Sequence, residues 1–125
     1  LEMKDCEWQA GAFGMTGLET ALPIIIETMV DSGRMTWEDV ARVMSTAPAR
    51  IGGVDTQGRG LVEGAPAHVT LVDASVRTTV DPAAQWTRST NCPYRGMELP
   101  GQVRYTIYGG VPTVVDAAPI AKEDR

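Results

Sequence analysis

Histidine and cysteine are scarce in this sequence. His68 is its single histidine, and Cys6 and Cys92, far apart, are its two cysteines. One imidazole and two scattered thiols make no usual catalytic zinc site, no zinc knuckle and no disulfide scaffold. Both cysteines read as reduced thiols of a cytoplasmic protein. Long apolar runs are missing too. Ala21–Ile26 is short and bounded by charge, well under the about 20 residues that span a bilayer. The opening residues, Leu1-Glu-Met-Lys-Asp, are polar and acidic, unlike a secretory leader. Lys and Arg number 11 against 16 Asp and Glu, a net charge of −5, so no basic surface for nucleic acid is expected. No internal repeat or low-complexity segment stands out. The first residue is Leu, not Met, which fits a piece of a longer protein or one cut after synthesis.

What is present is a stretch of about one domain: 125 residues, 43% of them apolar. The helical pattern comes first and the strand pattern second. The chain is organised around residues 11–23. Gly11, Gly14 and Gly17 allow a tight loop whose backbone approaches a ligand closely. Thr16 and Glu19 have capping-box spacing, so a helix is expected to start there, its first turn carrying partial positive charge. On spacing alone this is a glycine-rich connection followed by a capped helix.

Residues 17–32 read as an amphipathic helix, with Leu18, Leu22, Ile25 and Met29 on one stripe and Ile24, Ile26 and Val30 widening it. Pro23 lacks the N–H for Glu19, so the helix kinks there or begins near it. Gly33 is its stop. A second helix is expected over 37–46, capped by Thr36 and Asp39. Pro48 ends it or starts a short turn at Ala47–Ile51. Turn chemistry at Gly58, Gly60, Gly64 and Pro66 marks a boundary near residues 54–66, with Leu61-Val62 as a short strand. Strands are expected at 67–73 and Val76–Val80, broken by Asp73-Ala-Ser. Residues 87–101 read as a long irregular loop. Val103–Tyr108 and Val111–Val115 form a hairpin around Gly109-Gly110, and the tail from Ala117 is expected to fray.

Two groups of residues also carry a family resemblance. Phe13-Gly14-Met15-Thr16-Gly17-Leu18-Glu19-Thr20-Ala21-Leu22-Pro23 resembles the FG-x-x-GLETALP segment of dihydroorotases, zinc amidohydrolases of pyrimidine biosynthesis. Ser89 through Gly109 is similar to the S-x-N-x-P-F-x-G-x-x-L-x-G-x-V-x-x-T-I-x-x-G segment of the same family, with Tyr94 in place of Phe. Between them, Gly60 through Leu71 resembles a pattern shared by many amidohydrolases, with His68 where Asp is usual. That departure favours a surface or satisfied histidine over a ligand.

The resemblance implies an α/β fold. Residues 1–58 would supply the end of a TIM-like amidohydrolase barrel, with its active-site loop and two to three helices. Residues 59–125 would supply strands of a small composite β-sandwich domain. A whole barrel needs about 250 residues, so the apolar stripe on 18–30 calls for a sheet encoded elsewhere. The resemblance further implies ring opening and closing of dihydroorotate, zinc held by residues upstream of this stretch, and substrate contacts at Phe13 and Gly14. No catalytic or metal-binding residue is assigned to this stretch. Asp5 and Glu19 are nominal bases, and Arg50, Arg88 and Arg95 nominal carboxylate clamps; structural or solvated roles suit them better. The implied partners are a small-molecule substrate, the remainder of the protein, and a homo-oligomer or a transcarbamoylase; neither nucleic acid nor membrane is implied. Two alternatives stay open: a non-catalytic scaffold subunit, and a related hydantoinase or allantoinase.

Overall fold

A computed structural model describes residues 5–11 and 13–120. The outermost residues of the opening loop, Ala12 and the end of the expected frayed tail lie outside the described residues. A 3-10 turn, Trp8–Ala10, precedes the glycine-rich loop. Helix α1 (Ala21–Ile25) runs on into a π-helical segment, Ile26–Val30. Pro23 falls in the first turn, where its missing N–H costs nothing. Gly33 (φ 72°) takes the left-handed stop, its N–H donating to the Val30 carbonyl. The stripe is half-buried on nearly every side, yet only Ile26 is fully enclosed and Leu18 is 97% exposed.

Helix α2 (Trp37–Ala41) starts as expected. The Thr36 hydroxyl accepts from Asp39 N–H at 3.2 Å, and the Asp39 carboxylate accepts from Thr36 N–H at 3.1 Å. The helix does not end before Pro48. It widens into a π-helical segment, Arg42–Thr46, and continues as α3 (Ala47–Ile51). Pro48 cannot donate to the carbonyl one turn back and its ring crowds that carbonyl; a wider turn relieves both problems.

Arg42, then the N–H and hydroxyl of Thr36, hold the Asp39 carboxyl below the usual aspartate range. A lowered value means this support is complete above the ordinary aspartate range and is lost as pH falls through the lowered value. Amide exchange in Trp37–Ala41 is therefore expected to quicken below about pH 4. Asp39→Asn should flatten that acid dependence, and an unchanged profile would refute the role given to the carboxylate.

Four antiparallel strands follow in the order β1-β2-β3-β4: β1 (Val69–Thr79), β2 (Glu98–Tyr108), β3 (Val111–Val115) and β4 (Ala118–Pro119). Four expectations are corrected here. Asp73-Ala-Ser does not break the strand. It forms a bulge, where the register passes from Asp73↔Gln102 to Arg77↔Pro100 and the Asp73 carboxylate accepts from Ser75 N–H and hydroxyl. Strand β2 begins at Glu98, inside the stretch read as loop. Ala118–Pro119 pairs with β3 instead of fraying, reached by a left-handed turn at Asp116 and Ala117. Leu61-Val62 is not a strand.

Helix α1 and the π-helical segment after it pack on β2, and the tightest point is at Gly101. Gly101 lies opposite the bulge with φ 85°, and Ile26 Cδ1 fills the space where a Cβ would stand. Arg77 on β1 reinforces it, donating to Glu27 at 2.8 Å and to the Glu98 carbonyl at 3.0 Å. Further along, Gly109 N–H donates to His68 Nδ1 at 3.2 Å, Gln57 approaches the same ring, and Tyr108 packs edge-on against it. His68 is thus a satisfied histidine beside a strand.

Candidate substrate loop

The candidate site is the loop of residues 13–20. Its glycines set its shape: Gly14 has φ 92°, a conformation that favours glycine. The loop is tied to one distant segment, residues 86–91. Asn91 Nδ2 donates to the Gly14 carbonyl at 2.8 Å. The Thr16 N–H and hydroxyl both donate to the Asn91 carbonyl, at 3.0 and 3.2 Å. The Glu19 carboxylate accepts from the N–H groups of Trp86 and Thr87, each at 3.0 Å. Thr20, 3% exposed, turns its hydroxyl and N–H back to the Gly17 carbonyl.

The expected capping box of Thr16 and Glu19 is therefore not formed. The residue preceding α1 is Thr20, with no side-chain cap, and Glu19 serves a loop 67 residues away. Neither this clamp nor Asn91 was singled out from the sequence. The spacing of Thr16 and Glu19 has a local meaning that hid the distant one. Asn91 lies in the second family-like segment, which was the available signal.

Phe13 is 101% exposed and Gly14 has nothing within 4 Å of the position of a Cβ. The structure brings them together at the open side of the loop. Beside it, α1, the 81–86 turn and β2 enclose a groove of 430 Å³ whose walls include Leu18, Leu22, Trp86, Leu99 and Val103. A slightly larger concavity, 460 Å³, is shaped by the 56–69 connector far along the chain and includes none of the loop. The loop, with its fixed backbone, is the better candidate for recognising a ligand. Asp5, Arg50, Arg88 and Arg95 are exposed, and Arg95 donates to the Thr90 carbonyl beside Asn91.

Among the described residues, no three His, Cys, Asp or Glu side chains are grouped so as to hold a metal ion. Zinc therefore does not fit the described residues. No helix among them is long and apolar enough to cross a membrane.

No protein-family profile matches the chain. Individual proteins do. It is 54% identical over 115 residues to the dihydroorotase of Streptomyces coelicolor, covering 92% of this chain and 27% of that protein. The dihydroorotases of Leifsonia xyli and Mycobacterium tuberculosis are 42% and 43% identical over 94% and 90% of this chain.

This chain is similar to one segment of dihydroorotases.

It spans about a quarter of the length of the dihydroorotases it matches. Solved structures place the fold among the amidohydrolases. A D-hydantoinase from a Thermus species superposes with a TM-score of 0.82 at 20% identity, over 93% of this chain and 25% of that one. An L-hydantoinase (dihydropyrimidinase) from Arthrobacter aurescens gives 0.81 at 25% identity, over 90% and 25%. The expected α/β class holds: a helical half followed by a four-stranded antiparallel sheet, in a fold shared with these hydantoinases.

Proposed function

We propose that the complete protein is a dihydroorotase. It would open and close the cyclic amide of dihydroorotate, giving N-carbamoyl-aspartate, in pyrimidine biosynthesis in the cytoplasm. The observation that carries this reading is the 54% identity to a dihydroorotase across nearly the whole stretch. Residues 1–58 supply the end of the barrel and its active-site loop, and residues 59–125 part of the β-domain. The zinc of the reaction is assigned to residues outside this stretch. Phe13 and Gly14 are assigned as substrate contacts: the ring excludes water and the glycine lets backbone approach the ring amide.

The exposed apolar side chains support the same assignment. Trp8, Phe13, Leu18, Ile51 and Leu61 are each more than four-fifths exposed, far from the interior that a chain so rich in apolar residues is able to build. These surfaces are assigned to contacts with the rest of the protein.

Ring opening by the complete protein is the test, measured side by side on dihydroorotate, hydantoin and allantoin. Dihydroorotate is expected to be preferred by at least about a hundredfold in kcat/KM, since a pocket built for its carboxylate leaves polar groups unpaired with the others. Preference for hydantoin or allantoin would assign the protein to that alternative activity. Absence of turnover on all three, with metal supplied, would leave the scaffold reading.

A further inference from the structure

Gly14 poses a physical question. A glycine with φ 92° and no atom within 4 Å of its Cβ position is not held by packing. Left free, it would sample a wide range of backbone conformations. A substrate contact needs the opposite, because binding energy is lost when a loop must be ordered at the moment of binding. Something other than packing must fix it.

Asn91 is placed to do so. Its side-chain amide reaches the Gly14 carbonyl at 2.8 Å, while its own carbonyl takes both donors of Thr16. The loop is thus gripped on either side of Met15. Because the peptide group is planar and trans, orienting the Gly14 carbonyl toward Asn91 turns the Met15 N–H the other way. The grip itself is anchored. Cys92, the next residue, is buried, and the Glu19 clamp holds Trp86 and Thr87 in the same segment.

We propose that Asn91 is a positioning residue of the substrate loop, fixing the Gly14–Met15 peptide plane so that Gly14 meets the substrate in a preset orientation. This rests on the assignment of Phe13 and Gly14 as substrate contacts. Asn91 acts through Gly14 and touches no substrate atom.

The test uses the complete protein, with steady-state kinetics on dihydroorotate and thermal melts. Asn91→Ala is expected to raise KM about fivefold, the loss of one ordering hydrogen bond, with kcat within about twofold. Asn91→Asp keeps the shape but turns an acceptor toward the Gly14 carbonyl, so KM rises at least as far. Melting temperature stays within about 3 °C in both, because Asn91 is partly exposed. Gly14→Val should raise KM on its own, and adding Asn91→Ala to it should change KM by less than about twofold, since both act on one peptide. If Asn91→Asp binds like the parent while Gly14→Val is impaired, the positioning role is overturned and the substrate contact stands. If Gly14→Val is itself silent, the contact assignment falls and the positioning role falls with it. Full additivity of the two changes also overturns it.

Discussion

Gly101→Ala is expected to lower stability by about 3 kcal/mol, the sum of a left-handed backbone that alanine resists and an overfilled contact. Two observations set that figure. Gly101 has φ 85°, and a Cβ there would overlap Ile26 Cδ1, with Val72 Cγ1 at 3.8 Å on the other side. Ile26 is 1% exposed, so its side chain has nowhere to swing. The contact joins the helical half to the sheet, so the loss should appear as a shift of the whole transition, about 10 °C in melting temperature where these 125 residues unfold as one unit. Ile26→Val removes the overlapping methyl. Alone it should cost about 1 kcal/mol, but in the Gly101→Ala background it should restore part of the loss. A Gly101→Ala protein that melts like the parent would show that the two halves are not joined through this point.

Gly58→Ala should cost about 2 kcal/mol or more, for a related reason with a different reach. Gly58 has φ 65°, and a Cβ would stand 2.8 Å from Ala49 Cβ, 2.9 Å from Thr46 Cα and 3.0 Å from the Ser45 carbonyl. Two of those three are backbone atoms of a helix and do not yield. The connector must lift away instead, taking with it the Val54 N–H bond to Ala49 and the Gln57 approach to His68. Hydrogen exchange should report this locally: faster exchange at Val54 and Gln57, with β2 amides nearly unchanged. Equal acceleration everywhere would mean the connector is part of the main cooperative unit.

What the sequence made legible follows from the range of the interactions. The Thr36–Asp39 box, the Gly33 stop and the Gly109-Gly110 turn are each decided within a few residues, and each was read correctly. The misreadings share one cause. Asp73-Ala-Ser and Pro100-Gly101 are turn formers in isolation, but they face each other across β1 and β2 and become the two sides of a bulge. Glu19 has a local partner by spacing and a distant one in fact, and only the fold brings the 86–87 amides to it. Pro48 locally allows either an end to the helix or a new turn at Ala47–Ile51, and the fold takes the second, joined to α2 through a π-helical segment. The candidate loop was marked by family resemblance, whereas its tether at Asn91 emerges only where the fold brings the two family-like segments side by side.

Strand β1, 11 residues long, ends the order of the sheet: among the described residues it is paired with β2 alone. Its outer rim is a row of amides and carbonyls spaced to template another strand. In a longer polypeptide that rim is a seam for incorporation. In the excised stretch the same rim is a liability, inviting copies to zip together, so its solution behaviour would be governed by concentration before any property of the loop could be read.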